Sequence, residues 1–338
     1  MTGRKRSFPG RGLTAAPLLI VLLSILLFSG CAGRSRSVGQ KQQMIAVETA
    51  LEAGLERARA PSFLLQGTQE RHNRVGRAEA IKQLGRAQVT INTDQPIIYA
   101  GRRPFTTSRG TYTNLVYRVH FPATPFSWAP FHLGAGDHVG LLVILTLDAR
   151  QRPLLVTTAN TCGCYAISIP TAALPPSSYP DHWPTTPLSV YGEQLPARLP
   201  ALEADETLQV AVRAEVHRVM GLSVVAKDTA VPGTVQQTDA AGLAELDSLK
   251  TLPLGDGTYT SFYYERWPMT GHVKGAIKPW ESLLLSLVSL DFWVGMDKEY
   301  VGAPTSTNPF YTSLKPWNRS ASDLNDFAAY LRFNGWKL

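Results

Sequence analysis

Alternation of apolar and polar residues in the middle of the chain is the feature that most limits its fold. The stretch TLQVAVRAEVHR, residues 207–218, alternates throughout, and NLVYRVHF, residues 114–121, does the same. A period of two is typical of a strand with one face in the core and one towards solvent, the common antiparallel case. The stretch VGLLVILTL, residues 139–147, has no polar face and predicts a central strand buried on both sides; DARQRP then turns the chain into a return strand, LLVTTA. Residues 88–226 are therefore predicted to form a mainly antiparallel sheet.

Helical patterns flank this sheet-rich region on both sides. An apolar period of three to four residues predicts a helix over residues 42–60, and a shorter helix is predicted over residues 77–84. From about residue 238 to residue 338 the chain becomes helical and aromatic, and AAGLAELDSLKTL, residues 240–252, is predicted to be its first helix. The predicted fold class is α+β, with a mainly antiparallel central sheet and helices at the N-terminal and C-terminal ends.

Two further helices in the last third carry specific expectations. Residues 278–296, KPWESLLLSLVSLDFWVGM, are apolar nearly all round and too short to span a bilayer, which takes about 20 apolar residues. We expect a buried core helix, with an interfacial or partner-binding helix as the alternative. The last helix is predicted to start at a capping-box-like pair, Ser320 and Asp323, and to end at Gly335, with Trp336 folding back onto its apolar face.

The first thirty residues have the three parts of a secretion signal. Arg4, Lys5, Arg6 and Arg11 precede a long apolar run, residues 13–28, which ends in small residues directly before Cys31. The sequence LFSGC resembles the lipobox of bacterial lipoproteins. The resemblance implies that Cys31 becomes the first mature residue and carries diacylglycerol and an amide-linked acyl chain, which together anchor the protein in membrane lipid. An uncleaved transmembrane anchor is the alternative. Since Ala32 and not Asp follows the cysteine, the resemblance implies the outer membrane, facing the periplasm, in an organism with two membranes.

The signal also explains most of the chain's positive charge. The whole chain has 33 Lys and Arg against 26 Asp and Glu. Removing the four basic residues of the signal leaves 29 against 26, a net charge of +3. The folded part is therefore close to neutral, and no nucleic-acid partner is expected. The predicted organisation is a signal peptide over residues 1–30, a lipidated tether over residues 31–41, and a single large α+β domain over residues 42–338.

Two cysteines one residue apart, Cys162 and Cys164, form the main candidate site. Asn160 and Gly163 are turn formers, so the pair is predicted at a hairpin tip, before a strand starting near YAISI. Four interpretations remain open: a local disulfide, two reduced thiols without a role, a metal site, or a thiol–disulfide exchange pair. In a zinc or copper site the other ligands would come from His120, His132 and His138, three histidines that precede the pair in sequence.

Common catalytic motifs are absent, including G-x-S-x-G, H-E-x-x-H, a P-loop and an EF-hand. Their absence favours a non-enzymatic lipoprotein that binds an envelope protein or polymer through the Pro-rich loop at residues 170–200, the apolar helix at 278–296, or the aromatic segment at 256–272. Core aromatics are the alternative interpretation of that last segment. The second hypothesis for the function is a metal or redox site at Cys162 and Cys164.

Overall fold

The structure, a computed structural model, describes residues 41–46, 54–129, 131–227 and 235–338. The predicted signal peptide, Cys31 and all but the last residue of the predicted tether lie outside this range. Strands account for 40% of the described residues and helices for 13%. The predicted class, a mainly antiparallel sheet with few helices, is therefore confirmed.

The strands and helices follow one another along the chain with few long helical segments. The strands are β1 Gln42–Ala46, β2 Ser62–Gln66, β3 Arg77–Gln83, β4 Arg86–Asn92, β5 Ile97–Thr107, β6 Gly110–His120, β7 Ala123–Thr124, β8 Gly136–Asp137, β9 Gly140–Leu147, β10 Pro153–Asn160, β11 Ile167–Pro170, β12 Leu188–Val190, β13 Glu193–Leu195, β14 Glu206–Val212, β15 Val219–Ala226, β16 Val235–Ala240, β17 Gly242–Glu245, β18 Leu252–Pro253 and β19 Tyr259–Thr260. The α-helices are α1 Leu55–Ala58, α2 Pro279–Ser289 and α3 Phe327–Phe333, and short 3₁₀ turns lie at Arg71–Asn73, Pro176–Ser178, Leu246–Lys250 and Pro316–Asn318.

Two sheets organise the molecule. The larger has six strands in the order β11-β10-β9-β6-β5-β17, and the smaller has five in the order β15-β14-β2-β1-β16. Neighbouring strands are antiparallel except for three parallel pairs, β1 with β16, β2 with β14, and β5 with β17. The predicted strands in residues 114–121, 139–147, 154–159 and 207–218 correspond to β6, β9, β10 and β14.

The six-stranded sheet is the middle layer, and β9 shows this most clearly. Leu141, Val143 and Leu145 belong to the core shared with the five-stranded sheet, whereas Leu142 and Ile144 belong to the core shared with the C-terminal third. Because successive side chains of a strand point to opposite faces, a strand covered on both sides is expected to have two apolar faces instead of one. The prediction that this strand is buried on both faces is confirmed.

The helix predicted over residues 42–60 is wrong at its start. Residues Gln42–Ala46 form β1, which pairs with β2 on one side and with the distant β16 on the other. Only Leu55–Ala58 is helical among the described residues of this stretch. Pairing with two neighbouring strands overrides the local helical period, as tertiary contacts commonly do.

The helix predicted over residues 77–84 is also wrong. This stretch is β3, paired with β4 in a hairpin that buries Ala78 opposite Ile91. Leu84 and Gly85 make the two-residue turn and both have positive φ, 50° and 75°. A two-residue turn with positive φ at both positions matches the twist of a hairpin. Gly85, at the second position of the turn, adopts a positive φ without strain.

Two C-terminal predictions need similar corrections. Residues 240–252 do not form a helix but β17 and a 3₁₀ turn, because Gly242–Glu245 extends the six-stranded sheet beside β5. The last helix starts at Phe327 rather than near Ser320, and Asp326 caps it by accepting a hydrogen bond from the Ala329 amide. Its end agrees with the prediction: Gly335 has φ +81° and Trp336 folds back, donating its amide to the Leu331 carbonyl.

The prediction that residues 278–296 form a buried core helix is wrong. In α2 the side chains with the least exposure are Glu281 and Ser289, while Leu283 and Leu287 are largely exposed. The helix therefore presents a polar face to the protein and an apolar face outwards. The aromatic segment at 256–272 is divided in the same way, with Phe262 buried in the core and Trp267 exposed.

Candidate thiol site

The two cysteines lie on the turn between β10 and β11, at the predicted hairpin tip. The Gly163 amide donates to the Asn160 carbonyl at 2.8 Å, and the Asn160 amide donates to the Cys164 carbonyl at 2.9 Å. These two bonds close a tight loop in which both thiols project from one short segment. The Thr161 amide ties the loop to the sheet by donating to the Gly140 carbonyl at 2.9 Å.

Glycine is required between the two cysteines for two independent reasons. Gly163 has φ +95°, a backbone conformation that other residues adopt only with strain. A Cβ at this position would also collide with the carbonyl oxygen of Tyr311. The loop is thus pressed against a segment from the C-terminal third, which limits how far the turn can move.

The thiols line a cavity of about 220 Å³ between this turn, α2 and the Tyr311 segment. Its polar wall includes Cys162, Cys164, Lys278, Glu281, His132 and Asn160, and its apolar wall includes Leu133, Val139, Val216, Leu285, Val294 and Leu314. A mostly apolar cleft with a few converging polar groups is the usual form of a small-molecule or side-chain binding site.

The environments of the two thiols differ in a chemically useful way. Both cysteines are reduced in this structure. A hydrogen bond with the Cys164 thiol lowers the pKa of Cys162 despite its burial, and the positive charge of Lys278 lowers it further. The same hydrogen bond, together with burial and the negative charges of Cys162 and Glu281, raises the pKa of Cys164 well above its ordinary value. Cys162 is therefore the more acidic thiol of the pair, and Cys164 is the one that holds its proton more tightly.

Glu281 is the proton acceptor nearest to Cys164. The Cys164 Sγ lies 3.3 Å from Glu281 Oε1, within hydrogen-bonding distance for a thiol donor. Glu281 reaches this position from the first turn of α2 and is almost fully buried. Gly295 packs directly against its carboxylate, and a Cβ there would clash with it. The carboxylate is consequently held in place beside the thiol.

Two buried lysines set the positive charge of the site. Lys278 Nζ lies 3.0 Å from Asp297 Oδ1, and Asp297 also accepts a hydrogen bond from Thr161 at the cysteine turn. Burial opposes the charged form of Lys278, but Asp297 and Cys162 raise its pKa well above its ordinary value. The cation therefore stays protonated next to the thiols.

Lys298 lacks such a carboxylate partner within the described residues. Its Nζ lies 3.3 Å from the Cys162 carbonyl oxygen, 3.4 Å from the Met296 carbonyl oxygen, and 4.6 Å from the centre of the Tyr311 ring. Burial lowers the pKa of Lys298, while the charge of Cys162 acts against that change. A buried ammonium group without an ion pair is best compensated by a nearby anion, and the side chains whose negative charge acts on Lys298 are Cys162, Asp291 and Cys164.

The three predicted histidine ligands do not gather at the sulfur atoms. His120 is buried and accepts a hydrogen bond from Arg118 Nε at 2.7 Å, and burial lowers its pKa well below the ordinary value. His138 Nδ1 lies 2.9 Å from the Lys274 carbonyl. Only His132 lines the cavity, where its ring nitrogens lie near the Pro125 carbonyl and the Glu215 carboxylate. Among residues 41–46, 54–129, 131–227 and 235–338, no group of three or more His, Cys, Asp or Glu is arranged to hold a metal ion; the zinc or copper site stays a prediction.

Sequence reasoning missed the groups that come from the C-terminal third. Lys278 and Glu281 belong to the stretch interpreted as an apolar core helix, residues 278–296, and Asp297 and Lys298 follow it directly. Charged residues within or next to an apolar stretch are a signal of a buried ion pair or a functional site, because a buried charge is stable only when it is paired. Because these residues lie far from Cys162 along the chain, the sequence does not indicate that they belong to the same site.

No protein-family model, curated protein or solved structure matches the chain. Of the helices that the structure describes, none has the length and apolar character needed to cross a bilayer.

Proposed function

We propose that this protein is a lipid-anchored thiol oxidoreductase of the cell envelope that exchanges disulfides through Cys162 and Cys164. The observation that carries the proposal is the pairing of two thiols at a tight turn, one beside buried lysines and the other bonded to a buried carboxylate. The lipid anchor is supported by the LFSGC sequence ending at Cys31, and an outer-membrane position facing the periplasm by Ala32.

The site supports a two-step exchange in which each group has one role. The Cys162 thiolate attacks one sulfur of a substrate disulfide; a new S–S bond forms, and the other substrate sulfur leaves as a thiolate that takes a proton from water. Glu281 then accepts the proton of Cys164, whose thiolate attacks the Cys162 sulfur and breaks the mixed disulfide. The second substrate sulfur leaves as a thiolate and takes the proton from Glu281, which restores the carboxylate. The substrate disulfide is reduced by two electrons, and the Cys162–Cys164 pair is oxidised to a disulfide.

The reverse direction oxidises a substrate dithiol by the same bonds in the opposite order. A disulfide between residues separated by a single glycine closes a small, strained ring, and strained disulfides are easily reduced. The oxidised pair is therefore expected to pass its disulfide on to substrates rather than to persist. The local disulfide predicted from sequence would then be the oxidised state of the pair during this exchange cycle.

The test uses the full-length lipidated protein purified in detergent, with oxidised glutathione as substrate. Because the strained disulfide is easily reduced, oxidised glutathione is supplied in large excess, and wild type is then expected to form one internal disulfide, detected as the loss of two titratable thiols. Cys164→Ser is expected to accumulate a mixed disulfide with glutathione at Cys162, identified by mass spectrometry, whereas Cys162→Ser forms none. Glu281→Gln is expected to slow resolution of the mixed disulfide by about 100-fold, the lower range for loss of a general base.

Three results would count against the proposal. Equal alkylation of both thiols only above pH 8, or equal mixed-disulfide formation in the two serine variants, would remove the distinction between nucleophile and resolving thiol. Stoichiometric zinc or copper in the purified protein, lost in both serine variants, would replace it with the metal site.

A further inference from the structure

An uninterrupted apolar face covers the outer side of α2 and the residues that follow it. Its main side chains are each between 53% and 83% exposed: Leu283, Leu287, Val288, Leu290 and Phe292. Leu283, Leu287 and Leu290 recur at steps of four and three residues, so they form one stripe along the helix and its end. Large exposed apolar patches on soluble domains mark surfaces that meet another apolar phase.

A cluster of aromatic rings extends this face at the start of α2. Trp280 stacks near Phe126 with ring centres 6.1 Å apart, and Trp128 lies at the same distance from Trp280. Phe131 closes the group, 6.0 Å from Trp280. Trp128 is largely exposed. The α2 stripe and these four rings are called the apolar patch below.

The shape of the apolar patch fits a flat partner better than a peptide chain. A groove that holds a peptide has walls, which would partly bury the side chains lining its floor. In the α2 stripe every side chain is more than half exposed. Residues 282–296 contain one charged residue, Asp291, and it is turned inwards, accepting a hydrogen bond from Tyr311 Oη at 2.6 Å.

A basic and aromatic segment borders the patch at the C-terminal end of α2. Arg319 donates a hydrogen bond to the Ser289 carbonyl, which places residues 315–319 beside the end of the helix. Lys315 and Trp317 are both exposed there. Tryptophan and basic side chains next to an apolar helix face are the composition of helices that lie in the membrane interface, where the cations meet anionic head groups.

We propose that the apolar patch docks on the surface of the anionic bilayer that holds the lipid at Cys31, with α2 lying parallel to the membrane in the head-group region. This inference rests on the lipid anchor of the proposed function. Cys31 precedes Lys41 by ten residues, which span at most about 35 Å when fully extended. A lipid anchor keeps the domain within that distance of the bilayer but leaves its orientation free, and the patch supplies the second contact that stable membrane attachment commonly uses.

Docking through α2 would also define the substrate class of the thiol site. The inner side of the same helix contributes Glu281 and Leu285 to the cavity wall. The thiols would then lie directly behind a helix resting on the membrane. The substrates favoured by this arrangement are disulfides of proteins held at or emerging from the membrane surface, rather than of proteins free in solution.

The test measures contact between the patch and lipid directly. Full-length lipidated protein is reconstituted into vesicles of phosphatidylethanolamine and phosphatidylglycerol, with and without bromine on the acyl chains, and quenching of tryptophan fluorescence is recorded. Bromine quenches only nearby rings, so wild type is expected to be quenched. The double variant Leu287→Glu, Leu290→Glu is expected to lose at least about half of that quenching, because a charge on the apolar face of an interfacial helix opposes insertion.

A matched control separates this effect from a general one. Leu84 is 98% exposed on the β3–β4 turn, and Leu84→Glu is expected to be quenched as strongly as wild type. All three proteins should reduce oxidised glutathione equally, which shows that they are folded. Wild type that is acylated at Cys31 by mass spectrometry and bound to vesicles, yet not quenched, would overturn the docking proposal while leaving the anchor and the thiol function standing. Cross-linking of two copies through α2 without quenching would overturn it as well.

Discussion

Strand β9 and helix α2 are both strongly apolar, yet they lie at opposite ends of the range of burial. Every residue of β9 is buried, while the leucines at 283 and 287 in α2 face outwards. β9 is enclosed because sheet partners flank it and a core covers each face, whereas α2 is held from its polar side by Glu281 and the Lys278–Asp297 pair. Apolar composition thus marks surfaces that avoid water, and the neighbouring elements decide whether protein covers them.

Replacement of Lys278 is expected to have the largest effect, since it tests whether α2 is held by polar contacts. Lys278→Met leaves the buried Asp297 carboxylate without its cation, and breaking a buried pair in this way costs about 3–5 kcal/mol. Urea unfolding monitored by circular dichroism should show that loss. The double variant Lys278→Met, Asp297→Leu removes both charges and is expected to recover a large part of the stability. A loss below about 1 kcal/mol for the single variant would contradict the buried-pair interpretation.

Truncation of one leucine in each element makes the comparison directly. Leu145→Ala in β9 opens a cavity in a packed core and is expected to lower the free energy of unfolding by about 2–5 kcal/mol. Leu287→Ala in α2 removes an exposed side chain and is expected to change it by about 0.5 kcal/mol or less. Both values come from the same denaturant titration. Similar losses for the two variants would mean that α2 is covered by protein in solution.

Acid is expected to destabilise the sheet layers through buried neutral histidines. Burial lowers the pKa of His217 to about 3 and of His272 to about 4. Below their ordinary pKa near 6.5 the unfolded chain binds protons that the folded protein does not, so the free energy of unfolding falls as the pH drops from 6.5 towards 4. Each histidine contributes a slope of about 1.4 kcal/mol per pH unit.

One carboxylate acts in the opposite direction over part of this range. Burial raises the pKa of Asp323 to about 6, so the folded protein binds a proton that the unfolded chain lacks between about pH 4 and 6. The net effect remains acid destabilisation because the histidines outnumber it. His217→Gln is expected to reduce the slope measured by unfolding at pH 7 and pH 5; an unchanged slope would exclude His217 as a source.

The smallest expected effect is a change in the pKa of Cys162 when a buried lysine near the thiols is replaced. Lys298→Met removes a buried cation near Cys162 and is expected to raise the pKa of that thiol by about one unit, which lowers its alkylation rate at neutral pH by about tenfold. The readout is the pH profile of iodoacetamide labelling, followed by mass spectrometry of the peptide. Lys82→Met, at an exposed ion pair with Asp256, is the control and should leave the profile unchanged.

The strands that sequence alone predicted share one property: their pattern is local. β6, β9, β10 and β14 each carry a period of two or an unbroken apolar run within their own length. The conformation of β1 does not follow from its own sequence pattern. It is set by pairing with β2 and β16, and β16 lies far along the chain. β3 failed for a different reason: its partner β4 follows directly in sequence, but the helix-like composition of β3 concealed the hairpin.

The candidate site was predictable to a similar extent. The turn holding Cys162 and Cys164 follows from Asn160 and Gly163, which lie within the same five-residue stretch. Glu281, which decides what Cys164 can do, comes from an element more than a hundred positions away. Its burial depends on the way α2 is turned, and a helix that is apolar nearly all round carries no internal signal of which side faces the protein.

Gly163 also limits how this site can change in evolution. Either thiol can be lost through a single substitution, but a side chain at position 163 has no room until the Tyr311 segment moves. A lineage that keeps the paired thiols must therefore keep the glycine, or alter two distant parts of the gene together. The glycine is thus expected to persist for as long as both thiols do.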